Sequence, residues 1–347
     1  MTLSPGTAVV GRWTQRRIAV ERVLGEGANG RVYLVRTDGR GQAAMKVCPS
    51  SQDIALEWAV LEQMRGGAFP RGFFIDDAAG VPACFFYVME WVPGQPLSRC
   101  ASRLRGRDWD ELVLQLLRGL AGLHQGGHAY CDVKPQNILI ERGSSLTARF
   151  VDVGGVTPFG RSVRQFTPTY DRAFWGFGDR RADAQYDLFA LALMIWFAWT
   201  GGPPAKVQAS PLAARRRYLE KELAHMHRSA KGRVLAEAVR GGWASARAFA
   251  NAWQTAWPGS VPHGARRYGA GSGMAAAGAG WHAVRPPGAG AGGAAPARAA
   301  HAGTAGAGTQ TRPTARRMDW SERLMWGSIT LAVAVTAAAW VSYHPWA

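Results

Sequence analysis

Asp132-Val133-Lys134-Pro135-Gln136-Asn137, followed fifteen residues after Asn137 by Asp152-Val153-Gly154, is the stretch on which the reading of this chain turns. The Asp132 carboxylate stands where it can receive a hydroxyl proton, and the lysine two residues on can neutralise a phosphoryl group. Asn137 and Asp152 are hard oxygen donors of the kind that suits Mg²⁺. Phosphoryl transfer asks mainly for positioning and charge neutralisation, and this inventory supplies both. A D-x-K-P-x-N hexapeptide alone could sit in any loop, so its meaning depends on what lies upstream.

Upstream, Gly25-Glu26-Gly27-Ala28-Asn29-Gly30-Arg31-Val32 reads G-x-G-x-x-G-x-V between the flanks Arg22-Val23-Leu24 and Val32-Tyr33-Leu34-Val35. Short apolar runs bounded by glycine predict strand–turn–strand. That separates the motif from a dinucleotide fingerprint, in which the same glycines open a helix. Glycines let backbone N–H groups approach phosphates without a Cβ in the way, although many Gly-rich turns are only turns. Sixteen residues after Gly30, Lys46 ends Ala43-Ala44-Met45-Lys46 on the next apolar run, where a lysine is ordinarily a solvated strand-edge residue.

In this order and at these separations, the four elements resemble the signature of eukaryotic-type (Hanks-type) serine/threonine protein kinases in their bacterial form: a Gly-rich loop, a strand lysine, an H-R-D loop with its Asn, and D-F-G. The resemblance spans roughly residues 18–250 and implies an α+β, bilobal fold, with a small β-rich lobe over about 12–92 and a larger helical lobe over about 93–257. It implies ATP and Mg²⁺ as cofactors, with Mn²⁺ as the alternative ion, and protein substrates. By the same resemblance Gly25, Glu26, Gly27, Gly30, Val32 and Ala44 would surround the nucleotide, and Lys46 would hold its α/β-phosphates. Asp132 would be the catalytic base, Lys134 would meet the γ-phosphate, and Asn137 and Asp152 would carry the metal.

The intervening segments fit piece by piece. Glu57-Trp58-Ala59-Val60-Leu61-Glu62-Gln63-Met64 has apolar residues at helical spacing and is similar to the family's αC helix, so Glu57 would pair with Lys46; Glu62, in the same segment, competes for the role. Residues 85–94 read as a buried-strand pattern ending in a Pro-Gly turn. The resemblance makes Met89 the gatekeeper and has Glu90 and Val92 offer backbone groups to adenine. Leu112–His124 carries an i, i+3, i+4 apolar stripe and predicts a long core helix stopped by Gly126-Gly127, with His124 structural. Asp187–Trp199 is apolar all round, too short to span a bilayer, and similar to the family's central helix, whose leading Asp187 would bond the catalytic-loop backbone. Residues 211–257 read as helical and basic, with Trp243, Trp253 and Trp257 as packing residues.

Several positions depart from the family. Tyr130 and Cys131 stand where His and Arg are usual, and the missing arginine ordinarily couples the loop to a phosphorylated activation segment. Val153 replaces Phe in D-F-G, while Asp152 and the turn-forming Gly154 remain. Thr167 in Phe166-Thr167-Pro168-Thr169-Tyr170 matches the threonine that bonds the catalytic Asp and Lys. Arg172-Ala173-Phe174 then replaces A-P-E, so the buried ion pair that the glutamate makes is expected to be absent.

Beyond Trp257 composition changes abruptly. Residues 258–311 are dominated by Ala, Gly and Pro and cannot bury enough apolar surface to offset ordering entropy, so they read as a flexible linker. A basic segment, 312–323, carries Arg312, Arg316, Arg317 and Arg323, and an uncharged stretch follows over 324–343, leaving a tail of 344–347. At 1.5 Å per residue that stretch would be about 30 Å long as a helix, the thickness of a hydrocarbon core. Trp320, Trp326, Trp340, Tyr343 and Trp346 cluster towards its ends, as interfacial aromatics do. With arginines on the N-terminal side, a single-pass C-terminal anchor in the cell (inner) membrane with the kinase region in the cytoplasm is expected. The first residues lack the apolar core of a signal peptide, consistent with tail anchoring.

Net charge is +17 and pI about 10.6; residues 1–257 hold 33 basic against 22 acidic residues. The positive charge is dispersed, with no basic stripe interleaved with aromatics, so an anionic membrane leaflet is the expected partner and nucleic acid is not. Cys48, Cys84, Cys100 and Cys131 show no C-x-x-C spacing, which reads as reduced thiols. Three functional classes compete: an active serine/threonine protein kinase, a membrane-anchored pseudokinase that binds ATP without transfer, and a small-molecule phosphotransferase of kinase-like fold. Thr157, Ser162, Thr167 and Thr169 are hydroxyls that self-association could phosphorylate in trans.

Overall fold

The alternation of large apolar residues along the first strands builds a sheet with two different faces. In the computed structural model, which describes residues 2–27, 30–64, 66–81 and 84–256, the chain opens with β1 (Ala8–Val10), β2 (Arg17–Gly27), β3 (Gly30–Thr37) and β4 (Gly41–Cys48). Helix α1 (Ser51–Gln63) follows, then β5 (Gly72–Asp77) and β6 (Phe85–Met89). The six strands form one antiparallel sheet in the order β1-β2-β3-β4-β6-β5. Successive side chains of a strand point to opposite faces. Tyr33, Val35, Ala43 and Met45 therefore join Ile18, Phe86 and Val88 in one apolar layer. Val32 and Ala44 point the other way, into the core shared with α1 and the large lobe. Lys46, in phase with Ala44, points that way too. The sheet starts earlier than the expected boundary near residue 12, because Val9 pairs with Ile18 and is buried, as is Leu3.

The large lobe continues with β7 (Gln95–Pro96), α2 (Leu97–Cys100), α3 (Gly106–Gln125), β8 (His128–Ala129), β9 (Ile138–Arg142), β10 (Leu146–Phe150) and β11 (Thr157–Pro158). It closes with α4 (Arg172–Trp175), α5 (Ala184–Thr200), α6 (Ala205–Gln208), α7 (Leu212–Met226), α8 (Ala230–Val239) and α9 (Ala246–Thr255). Helix α3 buries Leu112, Val113, Leu116, Leu117, Leu120 and Leu123, the stripe that its periodicity requires. Helix α5 starts where the Asp183 carboxylate accepts from the Tyr186 N–H and stops at Gly201 in the left-handed region, φ +93°. It is buried on nearly every side, which explains its lack of a polar face. Trp253 is buried and Trp243 half-buried, as expected.

Trp257, the linker, the basic segment and the apolar stretch 324–343 lie outside the described residues. Among the described residues, no helix is long and apolar enough to cross a membrane.

Candidate active site

The fourteen residues between Asn137 and Asp152 form a hairpin. Strand β9 leaves directly from Asn137 and β10 returns with Phe150 opposite Ile138, so the Val151 N–H donates to the Asn137 carbonyl at 2.8 Å. The two oxygen donors predicted for a metal are thus neighbours. Asp132 lies on the loop between β8 and β9, 2 % exposed. Its Oδ2 accepts from Lys134 Nζ at 2.6 Å and Asn137 Nδ2 at 3.0 Å, and its Oδ1 from Thr167 Oγ1 at 2.9 Å. The loop is held from below by α5. Asp187, fully buried, accepts from the backbone N–H groups of Tyr130 at 2.7 Å and Cys131 at 2.8 Å, and also meets His124 Nε2 at 2.9 Å. His124 is therefore structural, as expected. Cys131 needs that anchor, because its φ of +65° is an unfavourable conformation for a side chain of L configuration.

Lys46 reaches the same cleft from the small lobe. Its Nζ lies 2.7 Å from Glu57 Oε2 and 2.9 Å from Asp152 Oδ1. Along α1 the buried positions are Ile54, Glu57 and Leu61, so Glu57 is the one acid on the inward stripe, and Glu62 is exposed. Helix phase thus decides between the two. Tyr87, opposite Lys46 across the β4–β6 ladder, donates its hydroxyl to Glu57 Oε2 at 2.9 Å. Burial pulls the Lys46 ammonium down, but Asp152 and Glu57 outweigh it and hold Lys46 above its ordinary range. Burial pushes the Asp152 carboxyl up, yet the Lys46 charge and hydrogen bond keep it below the usual carboxylate value. Lysine and aspartate are both charged, as phosphate and metal binding require.

Glycine is demanded at two points. At Gly30, φ +145°, a Cβ would run into the Val47 carbonyl of the neighbouring strand. At Gly154 a Cβ would lie 2.9 Å from Glu57 Oε1 and 3.2 Å from Asp152 Oδ1. Gly154→Ala should therefore push the Lys46–Glu57–Asp152 group apart and lower kcat/KM by roughly 10²-fold, the usual effect of about 1 Å of misplacement. Gly143→Ala, where a Cβ meets nothing within 4 Å, is the control and should leave the steady-state rate unchanged.

The remaining nucleotide-binding candidates fall around this cleft. Gly25 pairs with Val32, Gly27 with Gly30 and Glu26 with Arg31, whose guanidinium meets the Glu26 carboxylate at 2.6 Å; Ala28 and Asn29 lie outside the described residues. Ala44 stands beside Met89 across the β4–β6 ladder, and both are buried with Val32 and Val92. The Glu90 N–H is spent on the Arg71 carbonyl at 2.8 Å, which leaves its carbonyl to offer. The Glu90 side chain does something that its sequence context did not suggest. It takes both terminal nitrogens of Arg149 on β10, at 2.6 and 2.8 Å, so the link between the lobes is tied to the large one. No local pattern marks Arg149, since it lies 59 residues from Glu90.

The activation segment replaces two family contacts by others. Cys131 is 2 % exposed in an apolar cluster with Ala129, Val163, Ala182 and Tyr186, against which Phe166 packs. Loop and segment are joined there by packing instead of by an arginine–phosphate pair, and burial pushes the Cys131 thiol far up, away from the reactive thiolate. All four cysteines are free and buried, in keeping with reduced thiols. The anchor expected to be absent with the A-P-E glutamate is present in another form. Arg172 meets Asp183 at 2.8 Å and Asp179 at 3.0 Å, while fully buried Asp171 caps α4, accepts the Tyr186 hydroxyl at 3.0 Å and pairs with Arg180 at 2.8 Å. Val153 is 3 % exposed in the main core, so the smaller side chain still packs.

The donor set fits a hard divalent ion. Asn137 spends its amide nitrogen on the Asp132 carboxylate and carbonyl, which turns its carbonyl oxygen to other use, and Asp152 is a charged carboxylate beside it. Among the described residues, no group of three His, Cys, Asp or Glu side chains could hold a metal alone. One carboxylate and one amide would supply part of the shell of such an ion, the rest coming from phosphate oxygens and water.

Comparison with known proteins places the chain in a family. The family model described as protein kinase domain matches residues 18–234. The serine/threonine-protein kinase YabT of Bacillus subtilis (strain 168) is 38 % identical over 202 residues, 56 % of this chain and 59 % of YabT. The serine/threonine-protein kinase dkf-2 of Caenorhabditis briggsae is 32 % identical over 172 residues, 44 % of this chain and 14 % of that protein. The chain thus spans less than two thirds of the length of either relative. With Lys46, Asp132, Asn137 and Asp152 converging on one cleft, and the family match running through all of them, the chain belongs to the protein kinase family.

Proposed function

We propose that the chain is an ATP- and Mg²⁺-dependent protein kinase that transfers the γ-phosphate to serine and threonine hydroxyls of protein substrates, and that it works tethered to a membrane. The observation that carries the reading is the single cleft in which Lys46 bridges Glu57 and Asp152 while Asp132 is bonded by Lys134, Asn137 and Thr167. Lys46, held between Glu57 and Asp152, would bind α/β-phosphate oxygens. Asn137 and Asp152 would hold Mg²⁺, which neutralises phosphate charge when bound. Asp132 orients the acceptor hydroxyl and takes its proton, and Lys134 is within reach of the transferred group. Specificity for serine and threonine rests on the Thr167–Asp132 bond and the Lys134-Pro135 pair, and it is in keeping with the relatives' names.

The test is Mg²⁺-dependent transfer of labelled phosphate from ATP to casein, followed by phosphoamino-acid analysis. Label on serine or threonine supports the proposal; nucleotide binding without transfer, or transfer only to an added metabolite, overturns it. The tether rests on the uncharged stretch 324–343 and the arginines before it. A chain ending at residue 311 should leave the membrane fraction, while the full chain stays in it after a carbonate wash; equal partition of the two removes the tether.

The apolar join at Cys131 implies that activation-segment phosphate is dispensable. Phosphatase-treated protein should keep most of its turnover, read as the initial rate before any re-phosphorylation. Near-complete loss of rate would show that packing of Cys131 against Val163 does not hold the segment.

A further inference from the structure

We infer that Tyr87 is a positioning residue for phosphate binding: its hydroxyl keeps Glu57 in the cleft while Lys46 divides itself between Glu57 and ATP. This deepens the kinase reading and rests on it. The three N–H donors of the Lys46 ammonium are already matched by three carboxylate oxygens: Glu57 Oε1 at 2.8 Å, Glu57 Oε2 at 2.7 Å and Asp152 Oδ1 at 2.9 Å. To bind a phosphate oxygen, Lys46 has to release one of them. Glu57 therefore needs a second partner, one that phosphate does not claim.

Tyr87 is that partner. It stands opposite Lys46 across the β4–β6 ladder, so both side chains leave the same face of the sheet. Its hydroxyl donates to Glu57 Oε2 at 2.9 Å, and the residue is 1 % exposed, with the Trp58 ring of the same helix beside it. A central strand thus holds the hydroxyl, and the hydroxyl holds α1. A neutral phenol is drawn to phosphate far less than an ammonium is. In the sequence Tyr87 is one more aromatic of an apolar strand, and only the approach of α1 gives its hydroxyl a use.

The titratable groups around the Glu57 carboxyl are Lys46 and Cys48 from β4, Tyr87 from β6 and Asp152 from the turn after β10. Burial pushes Glu57 above its ordinary range against the Lys46 charge; Asp152 adds to the rise, and the hydrogen bonds from Lys46 and Tyr87 oppose it. Without the hydroxyl the carboxyl takes up its proton at higher pH, and a neutral Glu57 holds the ammonium less firmly.

The test compares the full-length chain with Tyr87→Phe, Glu57→Ala and the two combined. It reads Kd for Mg²⁺–ATP by calorimetry, steady-state transfer to casein, and Tm. Tyr87→Phe should raise Kd and KM for ATP about tenfold, the worth of one hydrogen bond to a charged group, and leave kcat for casein within about twofold. The pH below which ATP binding weakens should lie higher than in wild type. In the Glu57→Ala chain, where the acceptor is gone, Tyr87→Phe should change Kd by less than about twofold. An unchanged Kd for ATP in Tyr87→Phe overturns the proposal. So does a tenfold loss that persists in the Glu57→Ala chain, or one that comes with a lowered Tm and an unmoved pH dependence, because either makes Tyr87 a packing residue. A wild-type chain that binds Mg²⁺–ATP without labelling casein overturns the kinase reading, and Kd then decides on Tyr87 by itself.

Discussion

Asp132→Asn should lower kcat for phosphate transfer by about 10²–10⁴-fold, the range that a positioned general base supplies. KM for ATP should move far less than kcat, because the groups proposed to hold phosphate and metal are Lys46, Asn137 and Asp152: Lys46 stays bonded to Asp152, and Asn137 keeps its bond to the residue-132 carbonyl. The fold should survive as well. An amide at 132 keeps one oxygen for Lys134 and Asn137, and the loop backbone stays bonded to Asp187. Single-turnover transfer, set beside nucleotide binding by calorimetry, separates chemistry from binding. A variant within tenfold of wild type in rate would remove Asp132 from its role.

Asp187→Ala should be the most damaging substitution for the fold. Its carboxylate is fully buried and accepts two backbone N–H groups and the His124 ring. Without it two buried donors lose their partners, at about 1–3 kcal/mol each. Cys131 also loses the bond that offsets its positive φ. A total near 3 kcal/mol would lower Tm by roughly 6–12 °C in a domain of this size. Activity should fall further than stability alone explains, because Asp132 follows Cys131 directly and shifts with it. Thermal unfolding and kcat measured on the same preparation test both parts. An unchanged Tm would show that the loop holds itself without α5.

Much of the fold is legible in the sequence. The flanks of Gly25–Val32 announced a hairpin, the stripe of Leu112–Leu123 a core helix, and the unbroken apolarity of Leu188–Phe197 a buried one. Each is a local signal, written within a dozen residues by the strand or helix period. The small lobe's early start escaped notice because β1 is three residues long, too short to show a period. The arginine network that stands in for the A-P-E glutamate escaped for another reason. Asp171, Arg172, Asp179 and Asp183 look like an ordinary solvated charge run until packing buries Asp171 and Arg172.

The chain's residues alone determined which chemical groups it would bring to phosphate, and in what order, because that chemistry admits few side chains: a lysine, a carboxylate to act as base, and an amide and a carboxylate to hold metal. Tertiary structure alone decided which acid meets Lys46, what Cys131 touches, where Glu90 is tied and that Tyr87 reaches Glu57. Those outcomes are contacts between segments from 11 to 59 residues apart. They depend on which face of a helix or strand is turned inward and what the rest of the fold brings against it. Side-chain type names the groups, and only packing names their partners.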